Sequence, residues 1–450
     1  MSAPRWTDAN KTTLVTGLSE VSRVWLSTSR GVLTEVFYPS PDQACVRRMG
    51  FVVTDEAGFV SEEASGTVHE ATALSDGVPV SILVNTCAEG RYRIEKSTVP
   101  DPQGDVVVQR VRFQATRGDA SAYRLYCVLE PHLDERGEAT TAFVAPYKGR
   151  SMLFATSGDG VSLALACSAP WLAASADPAG ASNGRAPREL GVLTTDRRRA
   201  GPGHVILTAE VDHRANGGEV TLALAFARRP EEAAQLAVGS LLRGHDAALA
   251  EHTRGWRRWS AALASVHGGE RPRLWDGSTA ALKTLESKGA VGGRVAALST
   301  PWGASKGPGI DGTYHVVWTR DLVESVSGLL AAGGEDEARR ALVYLRCTQE
   351  KDGHWPQNMR MDGRAFWKKE ELDETALPLL FLHLVHREGL LTADELHAYW
   401  PMVESAAGFI ARTGPSSKRD RWEDTEGVSP FTLAASIGAL LVAADVAELA

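Results

Sequence analysis

Apolar and polar side chains alternate in short runs through the first half of the sequence. A period of two residues, with turn-forming residues at both ends, is typical of β-strands. Six runs of this kind are rich in β-branched or aromatic residues and lie at 32–38, 106–113, 123–129, 161–166, 205–208 and 220–226. Many closely spaced strands with almost no helical period predict an antiparallel β-sandwich.

The spacing of apolar residues changes near residue 229, where three- and four-residue intervals begin. That period indicates helices. Linker helices are predicted at 230–266, and six more at 273–288, 320–332, 335–350, 372–388, 393–412 and 430–450. We therefore predict an N-terminal β-sandwich domain at 1–229, a helical linker at 230–271 and a helical domain at 272–450.

The loops between these helices alternate in length, and the long ones carry similar side chains. Trp318, Trp367 and Trp422 lie in the long loops, 49 and 55 residues apart, beside acidic and basic residues. Alternating short and long loops are expected of stacked helical hairpins with one functional end. Aromatic faces beside carboxylates and an arginine suit a neutral ligand with many hydroxyl groups, so the sequence predicts a sugar-binding face.

Charge, cysteine spacing and apolar runs bear on which partners and cofactors the chain is expected to bind. The net charge of −8 and the pI near 5.9 argue against nucleic acid, which requires a concentrated basic surface. The five cysteines are widely spaced and include no CxxC pair, so no metal or other cofactor is expected; their apolar neighbours predict buried free thiols. No signal-type segment or run of 18 apolar residues is found, and we expect no membrane span and a cytoplasmic location.

Seven segments occur in an order and spacing that resemble glycoside hydrolase family 15, the glucoamylase and glucodextranase family. They are VLTEVFYP at 32–39, FVVTD at 51–55, PWG at 301–303, YHVVWTRD at 314–321, DGHWPQN at 352–358, LDE at 372–374 and RWEDTEGVSP at 421–430. The resemblance covers nearly the whole chain. It implies a β-supersandwich followed by an (α/α) barrel of six hairpins, and exo-hydrolysis of α-glucosides with inversion.

Glycoside hydrolysis requires a proton for the leaving oxygen and an activated water on the opposite face of the sugar. Two carboxyl groups provide these, roughly 6.5–9.5 Å apart in inverting enzymes. Burial against an aromatic wall keeps such an acid protonated by raising its pKa. Glu423 follows Trp422 directly, and the acid of the family aligns with it, so Glu423 is predicted to be the general acid. The alternative is that Glu423 and Asp424 only complement the dipole of the following helix.

The resemblance also implies which residues bind the sugar. Arg320 and Asp321 align with residues that hold the glucose at the non-reducing end; the alternative is an exposed ion pair worth about 0–1 kcal/mol. Asp424 is predicted to bind the leaving-group sugar, and Asp373 to bind a hydroxyl or support the site. Apolar walls against the sugar are predicted from Trp318, Trp367 and Trp422.

Two further features bear on activity. Lys368 and Lys369 stand where the family usually has small or neutral residues, which leaves linkage preference open. A closed barrel of six hairpins needs twelve helices, whereas six are predicted, and the resemblance places the general base beyond residue 450. We therefore expect an incomplete barrel, the N-terminal portion of a longer enzyme, which by itself lacks hydrolytic activity.

The leading hypothesis is a glucoamylase-type enzyme acting on α-glucans or oligosaccharides. Its alternatives are a glucodextranase or trehalase of the same family, a disaccharide phosphorylase that uses phosphate in place of water, and a non-catalytic carbohydrate-binding fragment. Phosphate dependence would identify the phosphorylase, and binding of maltose without turnover would support the fragment. Oligomeric state, chain-length preference and a structural calcium ion are not determined by these patterns.

Overall fold

The computed structural model describes residues 6, 10–55, 57–134, 137–179, 194–263, 274–302, 314–419 and 426–449. The chain divides into two compact units. Unit 1 comprises Met1–Trp259 and Ser299–Thr313, and unit 2 comprises Ser260–Leu298 and Tyr314–Ala450.

Unit 1 contains two sheets. Its strands are β1 (Thr13–Thr16), β2 (Trp25–Ser29), β3 (Val32–Phe37), β4 (Ala44–Asp55), β5 (Val60–Glu62), β6 (Thr67–Ser75), β7 (Val78–Cys87), β8 (Tyr92–Pro100), β9 (Val106–Ala115), β10 (Tyr123–Pro131), β11 (Thr141–Tyr147), β12 (Arg150–Thr156), β13 (Ser162–Cys167), β14 (Trp171–Pro178), β15 (Arg199–Ala200), β16 (Val205–Val211) and β17 (Glu219–Ala227). One sheet has the order β1-β2-β3-β4-β10-β16-β14, with β5 beside β4, and the other has the order β15-β11-β12-β13-β17-β9-β8-β7-β6. All of these pairings are antiparallel.

Side chains of the two sheets meet in a buried core. Tyr38, next to β3, stacks on Phe226 of β17 with ring centroids 5.4 Å apart. Lys96 of β8 pairs with Glu63 at 2.6 Å, and its ammonium lies 5.6 Å from the ring of Phe51 on β4. Each of the six runs predicted as strands lies on an observed strand. The predicted antiparallel β-sandwich is therefore confirmed.

Helices fill most of the remaining sequence. They are α1 (Glu63–Gly66), α2 (Pro230–Arg243), α3 (His245–Ala262), α4 (Trp275–Thr284), α5 (Thr319–Ala331), α6 (Glu335–Thr348), α7 (Leu372–Arg387), α8 (Ala393–Thr413) and α9 (Pro430–Leu449), with 3₁₀ turns at Ala120–Ala122 and Ala215–Gly218. A two-stranded hairpin, β18 (Asn358–Met359) and β19 (Ala365–Trp367), lies between α6 and α7. The six helices predicted after residue 272 are thus found among the described residues, whereas the hairpin was not predicted.

Helices α2 and α3 pack against the sheets of unit 1. Helix α2 contacts β13 and β17, and its last residue, Arg243, binds Asp101. Trp256 of α3 is fully buried and donates its indole N–H to the carbonyl of Thr16 at 3.0 Å. These contacts join most of the predicted linker to unit 1. The region boundaries at residues 229 and 271 stay predictions.

Unit 2 is an assembly of packed helices. Helix α5 contacts α6 and α7, and α9 contacts α7 and α8. The start of α8 is fixed by a capping box, in which Thr392 Oγ1 accepts from the amide of Glu395 at 3.2 Å and the Glu395 carboxylate accepts from the amide of Thr392 at 2.8 Å. This local signal specifies the start of α8, whereas α4, α5, α6 and α7 begin without a side-chain cap.

A cluster of charged residues connects the end of α4 to α6. Glu286 receives Lys283 at 2.6 Å, Arg340 at 2.9 Å and Arg294 at 3.1 Å. Burial alone would raise the pKa of this carboxyl, but the three cations together lower it to about 2. Glu286 is therefore a buried anion that depends on its partners.

Two predictions, on the burial of the cysteines and on the absence of a long apolar helix, need correction. Cys347 is exposed, whereas the other four cysteines are buried free thiols as predicted. Within the described ranges, one helix, Pro430–Leu449, is long and apolar enough to cross a membrane, with a mean hydropathy of 1.7, although no such run was expected. Length and composition are the only basis for this property, and core helices of globular proteins share it; α9 packs on α7 and α8.

Candidate functional site

The N-terminal ends of α5 and α7 bring together an arginine and three carboxyl groups. Arg320 lies in the first turn of α5, and its Nη1 contacts Asp373 Oδ2 at 2.6 Å, Glu371 Oε2 at 3.0 Å and Glu374 Oε1 at 3.2 Å. The other oxygen of Glu374 accepts the backbone N–H of Arg320 at 2.6 Å. We call Glu371, Asp373 and Glu374 the carboxyl trio.

The trio is buried, so its charges interact strongly. Burial, followed by the neighbouring charges of Asp373 and Glu371, raises the pKa of Glu374 well above its usual value, although Arg320 opposes the shift. Burial would lower the pKa of Arg320, but the carboxylates outweigh that effect and raise it. Arg320 is therefore a permanent cation, and Glu374 favours its neutral form.

The trio has the geometry of a cation site, since one oxygen from each member lies within 4.8 Å of the others. Arg320 Nη1 is within 3.2 Å of all three side chains and supplies the positive charge there. The guanidinium and the trio thus form one ion cluster. Three carboxyl groups around one nitrogen are suited to fixing the orientation of the Arg320 side chain.

Aromatic rings lie directly beside this ion cluster. Trp318 precedes α5 and is buried, and its ring meets that of Trp367 edge to face with centroids 6.1 Å apart. The ring of Tyr314 also contacts Trp318, with centroids 5.7 Å apart. The hairpin that carries Trp367 is held in place because Val317 and Met359 exchange backbone hydrogen bonds of 2.8 and 2.9 Å. The structure therefore pairs Trp318 with Trp367, and Arg320 with Asp373; their roles in sugar binding stay predictions.

Several buried polar atoms in this region have no hydrogen-bond partner within the described part of the chain. They are Trp318 Nε1, Thr319 Oγ1, Gln357 Nε2, Asn358 Nδ2, Asp373 Oδ1 and Glu374 Oε1. Buried polar groups in native proteins are nearly always paired. Donors and acceptors concentrated beside an aromatic surface are typical of sites that recognise a polar ligand.

Three predicted residues, Trp422, Glu423 and Asp424, lie outside the described residues, but both ends of their segment are fixed. Ser417 and Gly427 exchange backbone hydrogen bonds of 2.8 and 3.1 Å. Ser417 Oγ accepts the amide of Leu372, the first residue of α7, at 3.2 Å. The described residues Ser417 and Gly427 therefore lie at the start of α7, the helix end that carries the carboxyl trio. Asp321 lies in the first turn of α5 and is partly exposed.

Sequence reasoning missed Glu371, Glu374 and the asparagine that supports the hairpin. Asn358 Oδ1 accepts the backbone N–H of Trp367 at 2.9 Å, which fixes the orientation of that residue. The sequence does contain a signal for the two acids, because three carboxyl groups occur within four residues at the start of an apolar helix. Such acids are usually attributed to the helix dipole.

Comparisons with known proteins agree with this structure. The sequence profile "Glucodextranase, domain N" matches residues 2–261, and "Glycosyl hydrolases family 15" matches residues 348–450. A curated glucoamylase from Clostridium sp. (strain G0005) is 31% identical over 443 residues, which are 98% of this chain and 62% of the relative.

Solved structures give the same result. The crystal structure of a bacterial glucoamylase complexed with acarbose superposes with a TM-score of 0.90 at 30% identity, covering 99% of this chain and 65% of that one. A family GH92 inverting mannosidase from Bacteroides thetaiotaomicron has a TM-score of 0.50 at 10% identity, covering 98% and 61%, and shares the fold alone. The chain thus spans less than two thirds of the length of these relatives. By its profiles, sequence and fold, the chain belongs to glycosyl hydrolase family 15 and has a glucodextranase-type N-terminal domain.

Proposed function

We propose that this chain carries the glucose-binding part of an inverting, exo-acting α-glucosidase of the glucoamylase type. The observation that carries the proposal is the Arg320 ion cluster with the paired rings of Trp318 and Trp367, and Ser417 lies at the same helix end. The similarity to a glucoamylase crystallised with acarbose supports an oligosaccharide ligand.

The proposed roles follow from side-chain chemistry. Arg320 donates to hydroxyl oxygens of the terminal glucose, and Asp321 accepts from hydroxyl hydrogens. Trp318, Trp367 and Trp422 contact the apolar C–H faces of the sugar. Glu423 protonates the leaving oxygen, and Asp424 binds the leaving-group sugar. Asp373 supports Arg320, to which it is already bound.

The sequence position of Glu423 supports its proposed role. Glu423 stands four positions before Gly427, and four residue steps of extended chain span at most about 14 Å. Gly427 is hydrogen-bonded to Ser417, whose Oγ accepts the amide of Leu372 at the start of α7. We therefore propose that the carboxyl group of Glu423 reaches the glycosidic bond of a sugar bound beside Arg320.

We further propose that a separate carboxylate is needed as the general base. The carboxylates nearest Arg320 in the described ranges are those of the trio, which are buried and engaged with the guanidinium or the α5 backbone. A base has to contact water on the opposite face of the sugar. We therefore predict that these 450 residues bind the sugar without hydrolysing it.

The exposure of Lys368 and Lys369 favours hydrolysis over phosphorolysis as the proposed reaction. Lys368 and Lys369 are both exposed, whereas a phosphate pocket would hold its cations against the buried site. A cytoplasmic location remains part of the proposal, since none of the five cysteines forms a disulfide.

The proposal is tested by calorimetric titration with maltose and an assay for released glucose. We expect binding without glucose release from this chain, and β-glucose as the first anomer seen by NMR from any form of the protein that turns over maltose. Glucose release by the 450 residues would refute the claim about the base. Failure to bind maltose or acarbose would refute the sugar site itself.

A further inference from the structure

The contacts of the Arg320 side chain with the described residues all involve one end of its guanidinium group. Asp373, Glu371 and Glu374 surround Nη1 at 2.6, 3.0 and 3.2 Å. Within the described part of the chain, Nε and Nη2 make no hydrogen bond or ion pair. The guanidinium is thus anchored at Nη1, and its opposite edge retains three N–H donors.

The three carboxyl groups have different tasks at this anchor. Nη1 carries two hydrogens, and the two shorter contacts, to Asp373 and Glu371, use them. Glu374 is the most distant from Nη1, and its second oxygen accepts the backbone N–H of Arg320 at 2.6 Å. Asp373 and Glu371 therefore hold the side chain, while Glu374 fixes the first turn of α5 from which that side chain extends.

We propose that the carboxyl trio is a positioning device that directs the Nε–Nη2 edge of Arg320 towards two neighbouring hydroxyl groups of the terminal sugar. This inference rests on the proposed function, and it specifies how that site selects a ligand. A planar edge with parallel N–H groups matches a pair of adjacent oxygens, as it does in bidentate contacts with carboxylates.

Anchoring has an energetic consequence for recognition. An unrestrained arginine loses rotamer entropy when it is immobilised on a ligand. The trio immobilises Arg320 before binding, because both its side chain and its backbone N–H are held. The anchored edge should therefore discriminate strongly between a sugar that has both hydroxyls and one that lacks either.

The test uses maltose and the set of monodeoxy maltoses modified one position at a time on the non-reducing ring. In the unmodified protein, loss of a hydroxyl that Arg320 contacts should weaken binding by at least about tenfold. Two adjacent positions should show this effect. In Asp373→Asn, Asp373→Ala and Glu371→Gln, the ratio of deoxy to parent dissociation constants at those positions should fall towards one.

Glu286→Gln is the matched control, because Glu286 is also a buried carboxylate bound to arginines of unit 2 but makes no contact with Arg320. It should lower stability while leaving the ratios unchanged. If the trio variants fold and keep the wild-type ratios, the inference is wrong although the sugar site stands. If the unmodified protein binds no maltose, the proposed function itself fails. Should Asp373→Ala not fold, Glu371→Gln decides the outcome.

Discussion

The carboxyl group of Glu423 is the one that the proposed hydrolysis needs and that sugar binding does not. In a form of the protein that turns over maltose, Glu423→Gln keeps the shape but removes the transferable proton. We expect kcat to fall about 10²–10⁴-fold, because general acid catalysis contributes that much. Asp424→Asn should instead raise KM more than it lowers kcat.

Activated aryl glucosides provide the control for Glu423, since their leaving groups depart with little need of a proton. The Glu423→Gln variant should lose less activity on them than on maltose. Near-normal turnover of maltose by this variant would contradict the assignment and point to Asp424 or Glu426.

Glu374 should make stability fall as the pH rises. Its pKa is raised in the folded state, so the folded protein retains a proton that the unfolded chain releases above its usual pKa of 4.5. The unfolding free energy therefore decreases from about pH 4.5 upward, towards the folded pKa. Glu374→Gln should remove this decrease, as measured by urea unfolding between pH 4 and 8. If the unfolding free energy of Glu374→Gln followed the same pH dependence as that of the wild type, this prediction would be wrong.

Glu286, which connects α4 to α6, should show the opposite dependence. Its folded pKa of about 2 lies below the usual 4.5, so its stabilising contribution is complete above pH 4.5 and is lost as the pH falls towards 2. Glu286→Gln should lower the unfolding free energy at pH 7 by about 3 kcal/mol and flatten the acid limb of the profile. An unchanged acid limb would show that the charged residues around Glu286 do not couple α4 to α6.

The hairpin β18–β19 is expected to contribute a wall of the sugar site. Trp367→Ala removes the ring that meets Trp318 and should weaken maltose binding about tenfold, through lost apolar contact. Trp259→Ala, at a partly buried position in unit 1, is the control and should leave the affinity unchanged. Equal effects of the two substitutions would argue against a specific wall.

The spacing of apolar residues predicted the helices of unit 2 but missed some of the strands. Helices α5 to α9 were found from helical spacing of apolar residues and from the glycines between them, and α8 in addition has a local cap at Thr392. The hairpin escaped detection because strands of two and three residues are too short to show a period. Strand β6 escaped because most of its side chains are exposed, so no apolar face marks it.

Arg320, Trp367 and Asp373 were proposed for the site from residue type and family resemblance, and their roles stay predictions. Glu371 and Glu374 were missed because acidic residues at a helix start are normally solvated, and only the packing of α5 on α7 buries them. Burial is a property of tertiary structure. A single sequence therefore indicates which acids exist near the site, but not which of them lose water.

At the scale of the molecule, helix α9 carries four exposed large apolar side chains among the described residues. Ile437, Leu440, Leu441 and Leu449 are exposed on this one helix. Clustered apolar exposure promotes association. We expect concentration-dependent self-association in sedimentation velocity, reduced by Leu441→Glu. Leu242→Glu, at an exposed leucine of α2, is the control and should have no effect. A chain that stays monomeric at high concentration would refute this expectation.

The hydrogen-bonded pair of Ser417 and Gly427 turns the segment between them into a closed loop of nine residues. Closing a loop costs entropy that grows with its length, and here this cost is met before any ligand arrives. Under the proposed role of Glu423 as general acid, we expect this bridge to raise the effective molarity of the acid at the glycosidic oxygen. Substitutions at residues 417 and 427 are therefore predicted to lower the rate of the proposed proton transfer, although neither residue is proposed to contact the sugar.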